Sequence, residues 1–155
     1  MGHNPLPWPG PDEWPGPPCY CGRSGCIETF LSGPGLARDY REPGAGNVSA
    51  LRHRGARGRG EPQALACLDR YEDRMARALA SVINVLDPDV IVLGGGLSNV
   101  DRLYQAVPRR WGPFVFSDRV DTRLARAAHG DSSGVRGAAW LWERGLARED
   151  RKTSL

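Results

Sequence analysis

The chain has 155 residues, 40% of them hydrophobic and 25% charged, and 21 Lys+Arg against 18 Asp+Glu leave a net charge of +3. That length and balance suit one soluble globular domain around a single core and exclude a disordered, strongly charged polymer. No span reaches the roughly 20 apolar residues a membrane crossing needs, and no charged segment followed by an apolar core opens the chain. The expectation is therefore a cytoplasmic protein with no membrane partner, in which clustered cysteines read as metal ligands rather than disulfides.

Residues 1–18, "MGHNPLPWPGPDEWPGPP", hold seven prolines. Proline fixes φ and lacks an N–H, so this stretch is neither a helix nor a central strand, but a stiffened loop pinned at its ends. Cys19, Cys21 and Cys26 follow in a C-x-C-x4-C pattern. With His3 they supply three sulfurs and one nitrogen, a complete tetrahedral set for a structural Zn2+. Gly22 and Gly25 permit the bends that bring Cys26 back. A redox pair is the weaker alternative, because C-x-C lacks the C-x-x-C spacing of exchange chemistry.

Glu28 falls near the start of a helix expected from about Cys26 to Thr29, with Ile27, Phe30 and Leu31 on one face. A first-turn acid is favoured by the helix terminus. Held at a fixed angle by a metal-rigidified loop, the same carboxylate can also accept bonds from vicinal hydroxyls of a sugar. A second short helix, "GLARDYR", follows.

Residues 43–61 are glycine- and arginine-rich, and read as a short helix over 48–51 and an exposed loop. The run "RHRGARGRG" could neutralise phosphates. It has no interleaved aromatic, and the whole chain carries little net charge, so nucleic acid is not an expected partner. From 62 to 86, Leu65, Leu68, Tyr71, Met75, Leu79, Val82 and Leu86 recur at three- and four-residue steps, an amphipathic helix. Pro62 suits its first turn and Asp87-Pro88 ends it. Cys67 and Met75 are core residues in this reading.

Val90–Leu93 reads as a buried strand flanked by helices. Gly94, Gly95 and Gly96 then form a turn into a helix from about Val100 to Trp111. Glycines there let a ligand approach the backbone, and a helix terminus behind them favours phosphate. The turn matches neither GxGxxG nor a P-loop. "PFVFS" and "VDTRLARAAH" read as strands and "SGVRGAAWLWERGL" as a helix, which makes the fold class α/β.

Together these segments resemble the ROK family of sugar kinases and repressors. "CYCGRSGCIE" matches the family's C-x-C-G-x-x-G-C-x-E, and "GHNPLPW", "ETFLSGPGLARDY", "DPDVIVLGGGLSN" and "HGDSSGVRGAAWL" look most like its fructokinases. The resemblance implies an actin-like, ribonuclease-H-like ATPase fold and Mg2+-assisted transfer of the ATP γ-phosphoryl group to a hexose. It implies that His3 ligates zinc and faces the sugar, that Cys19, Cys21 and Cys26 complete the metal set, and that Glu28 bonds sugar hydroxyls. Gly94, Gly95 and Gly96 would lie beside the nucleotide.

The pattern departs from the family in what it lacks. The D-x-G-G-T phosphate loop, the aspartate base and the Gly-Glu pair that precedes the histidine do not occur, and Asp131 does not match the base. The expectation is accordingly a partial fold: a Pro-rich loop and zinc site over 1–28, and the C-terminal nucleotide-binding lobe of a ROK kinase over 29–155. In this reading the chain is a fructokinase fragment, inactive alone, with no catalytic residue of its own. It would require a missing N-terminal half, or form a homodimer. The alternatives are a fragment of a ROK-type repressor or a non-catalytic zinc-stabilised sugar-binding or dimerisation module.

Overall fold

The computed structural model describes residues 1–40, 62–130 and 134–140. The expected helix over 48–51, the run "RHRGARGRG" and Asp131 lie outside the described residues. Among the described residues, no helix is long and apolar enough to cross a membrane.

The chain builds on one helix. Helix α1 spans Ile27–Phe30, α2 spans Gly33–Tyr40, and α3 spans Pro62–Leu86. Of the apolar steps expected of α3, Leu68, Tyr71 and Met75 are buried, with Cys67 beside them; toward the C-terminal end Ile83, not Val82, is the buried residue. Leu65 and Leu86, at its two ends, are exposed instead, because the helix outruns the core. Leu36 and Tyr40 of α2 cover one side of α3, and Val100, Leu103, Val107 and Trp111 cover another. A smaller cluster of Leu6, Ile27, Phe30 and Ala78 docks the N-terminal loop and α1 on the same helix. Each large side chain so buried contributes about 1.5–3 kcal/mol.

Strand β1, Val90–Leu93, pairs in parallel with β2, Arg123–Arg126, in the register Val90↔Arg123 to Leu93↔Arg126. β1 is not buried on both faces, as its apolar run suggested. Ile91 and Leu93 pack on the core, whereas Val90 and Val92 are 41% and 55% exposed. Only one face of this two-stranded sheet is covered among the described residues.

Two further expectations are corrected. The helix expected from 100 to 111 is divided into α4, Leu103–Ala106, and α5, Pro108–Trp111. Pro108 has no N–H to continue the ladder, and so opens a new segment. "PFVFS" is not a strand. Gly112–Phe114 is a 3-10 turn, and the backbone after it bonds to a side chain. Asn84 Nδ2 donates to Phe114 O at 2.9 Å, and Phe116 N donates to Asn84 Oδ1 at 2.8 Å. One amide thus satisfies the groups that a neighbouring strand would otherwise take. Residues 134–140 are helical, as expected.

Charge, as well as apolar surface, fastens the outer segments to α3. Arg102 and Arg110 reach Asp69 at 2.8 and 3.0 Å, and both pair with Glu72, which is fully buried. On another side of the helix, Arg74 and Arg77 enclose Glu13 of the proline-rich loop. Arg74 Nε lies 2.7 Å from Glu13 Oε1, and Arg77 Nη2 and Nη1 lie 2.8 Å from Oε1 and Oε2. Arg77 also donates to the carbonyls of Pro7 and Trp8 at 3.1 and 2.6 Å, and Gly10 N donates to Glu13 Oε2 at 2.8 Å.

Burial alone would raise the Glu13 pKa. Hydrogen bonds from Arg77, Arg74 and Gly10 outweigh it and bring the group down to about 2 from 4.5. A carboxyl depressed on folding stabilises the fold above its unfolded pKa, and that contribution is lost as pH falls through the folded value. Glu13→Gln is therefore expected to lower unfolding stability at pH 7 by about 3 kcal/mol, the scale for removing one partner of a buried pair. Denaturant titrations should show the gap between wild type and variant steady above pH 5 and narrowing as pH falls below 4.5 toward 2. Equal stability at pH 7 would contradict the assignment.

Candidate metal centre

Short-range backbone pairing brings His3 to the cysteines. Glu28 N bonds to Gly2 O, Ile27 N to Asn4 O and Leu6 N to Gly25 O, each at 2.9 Å, with an antiparallel bridge between Pro5 and Cys26. Residues 2–6 thus run beside 25–28 and set His3 next to Cys26. A second bridge joins Pro18 and Ser24. Cys19 N bonds to Arg23 O at 2.7 Å and Gly22 N to Cys19 O at 3.0 Å, closing a tight turn that carries Cys19 and Cys21. Gly25 allows the loop to fold against this turn. Its φ is +69°, and a Cβ there would lie 2.8 Å from the Pro15 carbonyl oxygen.

One ligand atom each from His3, Cys19, Cys21 and Cys26 lies within 4.8 Å of all the others. Cys21 Sγ and Cys26 Sγ are 3.6 Å apart, and Cys19 Sγ is 3.5 Å from His3 Nδ1. Tetrahedral coordination with metal–sulfur bonds near 2.3 Å and metal–nitrogen bonds near 2.0 Å sets these separations at about 3.8 and about 3.5 Å. The spacing and the soft donor set both fit a zinc-like ion. All four cysteines of the chain are free, and Cys67 lies apart from the cluster in the core. The thiols differ in environment. A backbone hydrogen bond from Arg23 holds Cys21 below its ordinary pKa, whereas burial, with Cys21 and Cys19 alongside, pushes Cys26 up to about 11.

The other ring nitrogen of His3 faces outward. Nε2 lies 2.9 Å from the Tyr20 hydroxyl and 3.9 Å from Glu28 Oε2. The His3 and Glu28 side chains are each 41% exposed. An oxygen placed between them could bond to both. Glu28 stands in the first turn of α1, as expected, and Gly2 leaves room for it: a Cβ on Gly2 would lie 3.0 Å from Glu28 Oε2. Tyr20 is a site residue that the motif itself did not single out, because it fills the variable position of C-x-C.

Gly94, Gly95 and Gly96 lie at the C-terminal end of β1, as the sequence suggested. Gly95 has φ +76° and ψ 175°, and a Cβ on either Gly94 or Gly95 would meet nothing within 4 Å. The chain then enters the four-residue 3-10 turn Gly96–Asn99, not a long helix. The expected help from a helix terminus is therefore absent. The Ser98 hydroxyl donates to Gly95 O at 2.7 Å and holds the turn closed.

A family model described as "ROK family" matches residues 1–145. The chain is 40% identical over 123 residues to the N-acetyl-D-glucosamine kinase of Photobacterium profundum, covering 79% of this chain and 41% of that protein. It is 38% identical over 148 residues to the N-acetyl-D-glucosamine kinase of Yersinia pseudotuberculosis, covering 91% of this chain and 48% of that protein. The chain thus spans less than half the length of these curated relatives. Its fold resembles that of a ROK family glucokinase from Streptomyces griseus solved with glucose and AMPPNP, with a TM-score of 0.74 at 21% identity over 90% of this chain and 49% of that one.

These findings correct three expectations. The relatives act on N-acetyl-D-glucosamine, so the likeness to fructokinases does not stand. The family match begins at residue 1 and runs through metal centre and glycine turn alike, so the ROK fold extends over almost the whole chain and is not a bare C-terminal lobe. The expectation of an inactive fragment without its catalytic half, which rested on the missing D-x-G-G-T loop and aspartate base, is not supported by the family match over residues 1–145. Both relatives are kinases, while a ROK family transcriptional regulator, a homolog of the E. coli MLC protein, shares the fold with a TM-score of 0.64 at 22% identity over 81% of this chain and 33% of that one.

The geometry of the turn makes Gly25 sensitive. Gly25→Ala is expected to destabilise the fold by about 1–3 kcal/mol through left-handed strain and the clash with Pro15, and to widen the spacing of the thiols. Thermal melts check the first effect and metal content the second. An unchanged melting temperature would contradict the close approach.

Proposed function

The chain belongs to the ROK family, and on that premise we propose that it serves ATP-dependent phosphorylation of an N-acetylated aminohexose, N-acetylglucosamine before others. The observation that carries the reading is the double use of His3: one nitrogen lies 3.5 Å from Cys19 Sγ within the thiol cluster, and the other turns to the Tyr20 hydroxyl and Glu28. A residue shared in this way couples an ordered metal loop to an exposed carboxylate that suits sugar hydroxyls.

His3, Cys19, Cys21 and Cys26 hold Zn2+ in this reading. With four protein ligands and no open position, the ion supplies structure and not reaction chemistry. Glu28 accepts hydrogen bonds from neighbouring hydroxyls, and His3, whose ring edge stands beside Glu28, borders the same ligand. Residues 1–28 form the metal- and sugar-holding part, and 29–155 the nucleotide-holding part. Gly94, Gly95 and Gly96 receive ATP, with Mg2+ as its counter-ion. Support for the last role is the open space over Gly94 and Gly95 at the C-terminal end of a parallel strand, where α/β sheets generally place their ligands. The choice of sugar follows the two kinases whose sequences the chain resembles.

The purified chain is expected to carry about one zinc, and Cys21→Ser to lose most of it, as the closed four-ligand site requires. In a coupled assay with ATP and Mg2+, zinc-loaded protein should phosphorylate N-acetylglucosamine with a higher kcat/KM than glucose or fructose. Zinc retained by Cys21→Ser would contradict the ligand assignment. A preference for fructose, or no sugar turnover at all, would contradict the substrate assignment.

A further inference from the structure

Tyr20 stands between the two ligands of the C-x-C turn, Cys19 and Cys21. The turn that aims both thiols inward carries the phenol across the outer side of the His3 imidazole. The two rings meet edge to face, with centroids 4.9 Å apart and planes at 87°. The hydroxyl then lies 2.9 Å from Nε2, while Nδ1 on the opposite side of the ring lies 3.5 Å from Cys19 Sγ. A ring contact and a hydrogen bond from one side chain define the tilt of the imidazole and the nitrogen that faces away from the thiols.

Tyr20 makes no contribution to the core. It is 81% exposed and belongs to neither buried cluster. An aromatic ring left in water gains little from burial. Its directed contacts with His3 account for its orientation.

We propose that Tyr20 is the positioning residue of the metal centre: its hydroxyl holds the Nε2 side of His3 and thereby commits Nδ1 to the metal. The proposal rests on the zinc reading above and deepens it. A metal on Nδ1 requires that nitrogen's lone pair, so the ring proton resides on Nε2 and needs an acceptor there. The phenol oxygen is that acceptor. A partner on the non-ligating nitrogen fixes both tautomer and ring orientation, and its loss typically weakens metal binding by about ten- to a hundredfold.

Tyr20→Phe tests the assignment, since it keeps the ring and removes only the hydroxyl of an exposed residue. Zn2+ affinity is measured by competition with a chromophoric chelator, and the imidazole state by 15N spectra of the zinc-loaded protein. The wild type should show a single form, metallated at Nδ1 and protonated at Nε2. Tyr20→Phe should bind zinc about ten- to a hundredfold more weakly, with a broadened or mixed imidazole signal and an unchanged circular dichroism spectrum. Tyr20→Gln, which restores an acceptor without the ring, should recover part of the affinity. Equal affinity and identical imidazole spectra in wild type and Tyr20→Phe would overturn this role while leaving the zinc site intact. A wild type that takes up no zinc would overturn the site and this role together.

Discussion

Glu13 lies between two guanidinium groups that reach it from a single helix, and the path of the loop from Pro7 to Glu13 depends on that contact. Between Pro7 and Gly16 the proline-rich loop has no paired strand beside it and buries no large apolar side chain. Prolines limit the conformations it can adopt, but they do not choose one. Arg74 and Arg77, only 9% and 5% exposed along their side chains, make the choice by fixing Glu13 and the carbonyls of Pro7 and Trp8 against α3. Burying these charges carries a large desolvation cost. It is offset only because the carboxylate and both guanidiniums find several partners at once, Asp39 and Asp73 among them.

This clamp acts on the metal centre through the chain. His3 precedes the clamped segment and Cys19 follows it, so the loop that Glu13 anchors joins two ligands that must meet within bonding distance of one ion. The paired backbone of residues 2–6 and 25–28 delivers His3, and the glycine-permitted turn delivers the cysteines. A metal held at their junction, as proposed above, would tie together segments already held on α3. The same helix carries, on another side, the buried Glu72 with Arg102 and Arg110, which hold the segment that comes after the glycine turn. One helix therefore supports both the His3–Glu28 pair and the open turn at Gly94–Gly96.

Helix α3 was legible from the sequence because its apolar period is long and its stops are marked: Pro62 opens it, and Asp87-Pro88 closes it within a residue of the observed end. The clustering of His3, Cys19, Cys21 and Cys26 was legible because three cysteines and a histidine within 26 residues supply one complete set of donor types. The Glu13 clamp was not, since it joins residues 61 and 64 positions apart. Its one local sign is the repeat of Arg70, Arg74 and Arg77 along one side of a helix. "PFVFS" misled because β propensity cannot register a side chain such as Asn84 in the role of a partner strand. The exposure of Val90 and Val92 depends on what covers a sheet face, which an apolar run alone does not reveal.

The central claim is that three thiolates and one imidazole hold a single ion and fix His3 beside Glu28. X-ray absorption at the zinc edge of the purified chain addresses it most directly. The structure predicts a first shell of three sulfurs near 2.3 Å and one nitrogen near 2.0 Å, the distances of a closed tetrahedral site. A shell dominated by oxygen, or one without the nitrogen, would contradict it.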